Sequence, residues 1–481
     1  MSPTSAQITS EPARGGSEYI FLIAEAESAP YAAHVLAPSL PAGLSLVHIA
    51  PCSMAYRQTV QGVAADLIQA VQNVQKHGPY RLVGWESAGL HAYELTTQLI
   101  GLDEDVECLA LIDTEYECEL ETQPIPVNLF GEQALLDRWA STLPRDRLNN
   151  FILPKRAASQ GGPKWEAALA SSLKLLIAGS ASKHRRILEE HRYKALCPIH
   201  SENSDSAVLV CVPGAGANAA DFVPLANSLD SAYQVFAFQP RGAAGNLVPH
   251  TTVEAAARMY HGELGEISRN GSLHLLGHSF GGWVALELAL LMQAEGCTIE
   301  SLTILDSEVP AAEDVQLCEY TRAQALMRLV SLYEQAAQKT MHVRIEDFET
   351  RSFQQQLDLL HSRVVQVGLM SARSAPSSLR GTVRTFEAAL RTRYRPASRF
   401  LGRARLFLIK EDGESDSNAH LRMHRTATAW QHFAPELIPR WGSGNHVTLL
   451  KQPNIEMVAA CMLSSIRKAR NAGSGITLQL S

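Results

Sequence analysis

Two short runs in this chain have residue types and spacing suited to acyl transfer. Leu276-Gly277-His278-Ser279-Phe280-Gly281-Gly282 has the Gly-x-Ser-x-Gly form, in which a Ser hydroxyl stands on a sharp strand-to-helix turn. Val83-Gly84-Trp85-Glu86-Ser87-Ala88-Gly89 has the same frame, with Glu86 opposite Ser279. An acidic residue follows 27 positions later in both: Asp306 in ILDSE and Asp113 in LIDTE. The residues therefore read as one competent serine hydrolase joined to a relative that lacks the nucleophile.

Ser279 is the candidate nucleophile. A Ser is weak until a base takes its proton, and His446, in GSGNHVTLL, holds the chain position of that base. Ser, then Asp, then His is the order found in α/β hydrolases. Asp306 closes a predicted strand just after the elbow helix and is the favoured orienting acid. Asp412, after the run RLFLIKE, is the alternative, and a cap or turn role fits either residue. A developing oxyanion needs N–H donors. Phe280, directly after the Ser, supplies one, and Ala215 or its neighbour in Pro213-Gly214-Ala215-Gly216 is placed to supply a second. GAGANA lacks the third Gly of a dinucleotide loop. The remaining His residues of this half, His278 among them, read as surface or structural.

These side chains need a scaffold that presents loops at one sheet edge. YIFLIA (19–24), LSLVHIA (44–50), RLVGW (81–85) and VECLALID (106–113) read as strands, with helical patterns at 60–78 and 90–100. The order returns with AVLVCVP (207–213), YQVFAFQP (233–240), SLHLLGHS (272–279) and IESLTILD (299–306). Helical patterns lie at 253–267 and 283–296. Strand–helix alternation predicts parallel sheets with helices on both faces. The repeat offset is 193 residues at Gly84 and Gly277, which marks a duplicated domain.

The halves diverge after the second acid. In the second, helical stretches fill about 311–395, followed by strand 405–411, segment 438–450 and a last helix at about 452–469. In the first, a helical insert at about 128–193 runs on into the second domain, with no strand pair and no His-bearing segment after it. The expected organisation is an α/β chain of two hydrolase-type domains. A structureless 1–17 precedes a truncated domain at 18–196. A complete domain at 197–470 follows, with its lid at about 311–400, and then a loose tail at 471–481.

Composition narrows the function classes. The 481 residues are 46% hydrophobic and carry a formal charge of -7, which argues against nucleic-acid binding. The eight Cys form no CxxC pair and no Cys/His cluster. They read as reduced thiols rather than disulfides or metal ligands. The N-terminus has no apolar signal core and no run is long enough to span a membrane, so a cytoplasmic location is expected.

GPYRLVGWESAG (78–89), LHLLGHSFGGWVALELA (273–289) and CPIHSENSDSAVLVCVPGAGANAADFVPLANSL (197–229) carry a more specific message. They resemble the thioesterase domains that end nonribosomal peptide and polyketide synthases, and the chain resembles a tandem pair over nearly all of residues 18–470. The resemblance implies an acyl or peptidyl chain carried on the phosphopantetheine of a carrier protein, with no cofactor of the enzyme's own. It implies Ser279 as the acylated nucleophile, His446 as base and later acid, and Asp306 as orienting acid. Ala215 and Phe280 become the oxyanion hole. In the first half Glu86 and Asp113 mark a degenerate site, and Ala24-Glu25-Ala26-Glu27 replaces the Pro-Gly-Ala-Gly loop.

Residues 380–405 hold eight Arg and one acid, Glu387. Arg384, Arg391 and Arg395 are candidates for docking an acidic carrier, and a solvated lid face explains them equally. The chain opens with Met and has no visible carrier domain, so action in trans or non-covalent pairing with a synthase is expected. A carboxylesterase of soluble esters, or a docking scaffold for synthase subunits, are the competing readings.

Overall fold

The computed structural model describes residues 7–8, 18–37, 40, 43–51, 60–114, 149–153, 193–200, 206–245, 247–265, 267, 273–310, 320–411 and 413–474. They fall into two compact units, Met1–Tyr193 with Asn246–Val248, and Lys194–Gly245 with Pro249–Ser481.

The first unit is built on a six-stranded sheet. Its elements are β1 (Gln7–Ile8), β2 (Glu18–Ile23), α1 (Ala29–Leu36), β3 (Leu44–Ala50) and α2 (Val60–Val74). Then come β4 (Tyr80–Trp85), α3 (Gly89–Gly101), β5 (Val106–Ile112) and β6 (Asn149–Leu153). The strand order is β1-β3-β2-β4-β5-β6, and only β1 runs antiparallel to its neighbour. Successive side chains of a strand face opposite ways, and β2 shows the result. Phe21 and Ile23 pack with Leu67, Leu95 and Leu99 of α2 and α3, whereas Ile20 and Leu22 pack with Ala32 and Leu36 of α1. A sheet covered on both faces needs near-continuous apolar strands, as EYIFLI and VECLALI provide.

The second unit has seven strands in the order β13-β12-β11-β10-β8-β9-β7. Its first half contains β7 (Leu196–His200), β8 (Ala207–Val212), α4 (Val223–Leu229), β9 (Tyr233–Phe238), α5 (Val253–Leu264), β10 (Leu273–His278), α6 (Phe280–Ala294) and β11 (Ile299–Leu305). Four helices follow: α7 (Arg322–Ala337), α8 (Glu346–Glu349), α9 (Phe353–Gln366) and α10 (Arg380–Arg391). The chain returns to the sheet with β12 (Ala404–Leu408), α11 (Asp416–Gln431), β13 (Leu437–Trp441) and α12 (Ile455–Ser474). Only β7 is antiparallel to its neighbour.

Helices α7 to α10 fall in the region expected as the lid, between β11 and β12, and have a core of their own. Leu326 and Leu329 of α7, Phe348, Leu360 of α9, and Val383 and Phe386 of α10 are buried together. Each large apolar side chain buried this way stabilises by roughly 1.5–3 kcal/mol, so the lid is a packed layer rather than a loop. Capping boxes at Thr321 and Ser352 start α7 and α9.

The fold class is the expected one, with mostly parallel sheets and helices on both faces. Three expectations change. Gln7–Ile8, placed in a structureless segment, pair with Ile49 and Ala50 of β3. Two residues are too few for periodicity to reveal, and the β3 edge supplies the partner. The insert at about 128–193 was expected to be helical, yet Asn149–Leu153 within it forms a strand that adds parallel to β5. Its apolar run is only Phe151-Ile152-Leu153, and so short a run inside a helical pattern is ambiguous from periodicity alone. The last helix runs to Ser474, past the predicted end at 469. Residues 115–148, 154–192, 311–319 and 475–481 lie outside the described residues, and so do parts of both expected inserts. Among the described residues no helix is long and apolar enough to cross a membrane.

Candidate active site

The site is built on the C-terminal ends of β8, β10 and β11. Strand β10, LHLLGH, is buried throughout and lies between β8 and β11, parallel to both. It passes into α6 without a loop. The turn works because strand and helix touch: a Cβ on Gly277 would lie 2.2 Å from the Gly281 oxygen. Ser279 takes φ 53° and ψ -127°, a conformation that costs an L-residue about 1–3 kcal/mol. Its N–H donates to Leu305 O at 2.8 Å and its carbonyl accepts from Gly282 N at 2.9 Å.

Three candidate residues come together here. His446 Nε2 is 3.0 Å from Ser279 Oγ, and its Nδ1 is 2.7 Å from Asp306 Oδ2. Asp306 is held from two sides, since its N–H donates to Phe407 O at 2.7 Å and its Oδ1 accepts from Ile409 N at 3.2 Å. The carboxylate therefore presents one oxygen to the imidazole while the extension of β12 fixes the other. Asp412, the alternative acid, lies outside the described residues.

His446 sits on a loop stiffened by its neighbour. Asn445 Oδ1 accepts from the N–H groups of Val447 and Thr448 at 3.1 and 2.9 Å. Its Nδ2 donates to Gln335 O at 3.1 Å, near the C-terminal end of lid helix α7. Those last helical carbonyls have no intrahelical partner.

The loop after β8 runs beside the Ser. A Cβ on Gly214 would lie 3.1 Å from Ser279 Cβ, which puts Ala215 next to the elbow, and Ala215 packs against the lid core. Phe280 opens α6, so helix N-terminal N–H groups begin directly after Ser279.

Sequence reading passed over His278. It is buried, its Nε2 is 2.9 Å from His446 O, and its ring centroid is 5.0 Å from that of His446. Burial first, then the charge of His446, pushes its pKa down to about 4. The signal was its place beside the Ser, which periodicity cannot tell from a core position.

The Arg candidates are spread out. Arg384 and Arg391 are half-buried on α10, and Arg391 Nη2 donates to Tyr320 O at 3.4 Å. Arg395 is exposed beyond the helix. Glu387, the one acid of the run, is ion-paired to Arg322 at 2.8 Å.

The first unit has an elbow of its own. Glu86 has φ 50° and Asp113 φ 52°, against 53° at Ser279 and 46° at Asp306. Gly89 N bonds the Glu86 carbonyl, as Gly282 N bonds that of Ser279. Glu86 is exposed and Asp113 half-buried. Burial, reinforced by Glu27, raises the Glu25 pKa where the second unit has its Pro-Gly-Ala-Gly loop.

A strand-turn-helix elbow, a Ser–His–Asp relay and a lid between β11 and β12 define an α/β hydrolase. The thioesterase-domain family model matches residues 207–463, and the chain belongs to that family. Among curated relatives, a non-reducing polyketide synthase of Aspergillus terreus, terA, is 34% identical over 93 residues, 18% of this chain and 4% of its own. The N-(5-amino-5-carboxypentanoyl)-L-cysteinyl-D-valine synthase of Penicillium rubens is 31% identical over 80 residues, 17% of this chain and 2% of its own. The chain thus spans less than a tenth of the length of these relatives. Among solved structures, a four-domain nonribosomal peptide synthetase, holo-AB3403, has TM-score 0.47 at 18% identity, covering 60% of this chain and 22% of its own. The type II thioesterase BorB of the borrelidin cluster has TM-score 0.39 at 18% identity, covering 58% and 98%.

Proposed function

We propose that the second unit is a serine thioesterase that takes an acyl or peptidyl chain from the phosphopantetheine arm of a carrier protein in polyketide or nonribosomal peptide synthesis. The observation that carries this reading is the relay from Ser279 through His446 to Asp306, at 3.0 and 2.7 Å, inside the thioesterase match. In acylation His446 Nε2 takes the Ser279 hydroxyl proton as Oγ attacks the thioester carbonyl. The tetrahedral oxyanion is held by the N–H groups of Ala215 and Phe280. As the C–S bond breaks, His446 returns the proton to the departing thiolate. A water or an internal nucleophile, deprotonated by the same His, then releases the chain. Asp306 keeps the imidazole in the tautomer that accepts at Nε2. No cofactor enters the scheme.

The first unit, on this reading, is a degenerate copy with a structural or docking role. Glu86 replaces the nucleophile, and acidic residues at 25 and 27 repel a developing oxyanion. Arg384, Arg391 and Arg395 are proposed to meet an acidic carrier.

Intact-protein mass spectrometry after incubation with acyl-pantetheine thioesters tests this, using wild type, Ser279→Ala and Glu86→Ala. Adduct or turnover lost only in Ser279→Ala is the expected result. Labelling that persists in Ser279→Ala overturns the assignment.

A further inference from the structure

The base loop is held at several points. Asp306 and Ser279 hold the His446 ring, and Asn445 holds the N–H groups after it. The carbonyl of His446 has its own partner, the imidazole of His278 at 2.9 Å. A carbonyl only accepts, so the proton sits on His278 Nε2 and Nδ1 is bare. That Nδ1 is buried with no hydrogen-bond partner among the described residues. It lies against the loop after β8, where a Cβ on Gly214 would come within 3.3 Å of it.

An unpaired buried acceptor has a cost. An aliphatic side chain at 278 would avoid it and still complete the otherwise apolar strand end. What the imidazole adds is a single directed bond to the backbone of the base.

We infer that His278 is a positioning residue, which donates Nε2–H to the His446 carbonyl and so fixes the base between Ser279 and Asp306 beside the oxyanion loop. The inference rests on the assignment of His446 as general base. Burial lowers the His278 pKa to about 4 and keeps the ring neutral while His446 cycles through its charged form. A second cation 5.0 Å away would oppose that form. Misplacing a catalytic group by about an ångström can cost roughly 100-fold in rate.

The test uses the full chain and acyl-pantetheine thioesters. His278→Phe keeps the ring and loses the donor, whereas His278→Gln places an N–H near the Nε2 position. His278→Phe is expected to lower kcat roughly 10- to 100-fold with KM within about twofold. His278→Gln should stay within about fivefold of wild type. Should the Phe protein fail to fold, imidazole 1H–15N spectra of wild type decide, and the expected signature is Nε2–H with bare Nδ1 across the active pH range. Wild-type turnover in His278→Phe, equal loss in Phe and Gln proteins, or an Nδ1–H tautomer overturns the inference. Ser279→Ala separates the two levels. If it keeps wild-type turnover, the reading of the site falls and this inference with it. If it is inactive while His278→Phe is not impaired, only the inference falls.

Discussion

The two elbows share a backbone and differ in what it presents. Glu86 and Ser279 both sit at φ near 50°, as do Asp113 and Asp306, one helix and one strand later in the chain. In each, a small residue lies under the helix start: a Cβ on Gly89 would fall 1.9 Å from Thr114 Oγ1, and one on Gly282 2.1 Å from Ser307 Oγ. The first unit thus keeps the strained turn while lacking the Ser. Strain of this kind persists only where the surrounding packing dictates it, so the turn is a property of strand and helix closure, and chemistry is a separate layer on top. The second layer needs β12 and the segment after β13, which bring Ile409 and His446 to the acid and the Ser. Among the described residues the first unit has a counterpart of β12 in β6, and none of β13.

The sharpest way to break this contrast is to remove the second unit's chemistry. Ser279→Ala should lower thioester turnover roughly 10⁵- to 10⁶-fold, and adding Glu86→Ser to that protein should restore none of it. Steady-state hydrolysis with a thiol reagent reads both. Asp306→Asn keeps the shape and loses the tautomer control, with an expected fall in kcat of about 10⁴-fold.

A next test pushes on what the elbows share. Gly84→Ala places a Cβ 2.6 Å from Gly89 Cα, and Gly277→Ala one 2.2 Å from Gly281 O. Each should destabilise its own unit by about 2–3 kcal/mol, read as faster amide exchange in β4 or β10. Only Gly277→Ala should also abolish turnover.

Acid should weaken the second unit through its buried His pair. His274 and His278 are lowered from 6.5 to about 4 by burial. Above 6.5 both states are neutral and nothing is lost. Between 6.5 and 4 the unfolded chain binds protons that the folded unit refuses, so stability falls with pH. From about pH 7.5 to 5.5 the loss is roughly 2–3 kcal/mol for the pair, measurable by exchange in β10. His274→Asn should halve it. The smallest effect is expected from Glu86→Ala alone, with turnover within about twofold of wild type.

Much of this was legible in the sequence because the central strands are short apolar runs between turn residues. LHLLGHSFGG announces a buried strand, a tight turn and a helix together, and the His follows from chain order, which leaves Asp306 and Asp412 both open as the acid. The edges were not legible. β6 is five residues in a helical-looking insert, and α11 buries only Ala419, Ala427 and Trp430, too few for a visible stripe. The bond from His278 to the His446 carbonyl spans 168 positions, and no local pattern encodes such a contact.

One seam in the second unit sets rules for anyone recombining it. A Cβ on Gly381 at the start of α10 would lie 1.8 Å from Ala243 O, and one on Gly245 3.3 Å from Gly381 N. Backbone meets backbone there, which leaves no side chain to trade. A lid grafted from another thioesterase would have to bring its own copy of that glycine contact, or the splice would have to fall after the seam. Natural variation in the lid faces the same limit, so diversity should collect further along α10 and in α7 and α9, away from the point where the lid is pinned.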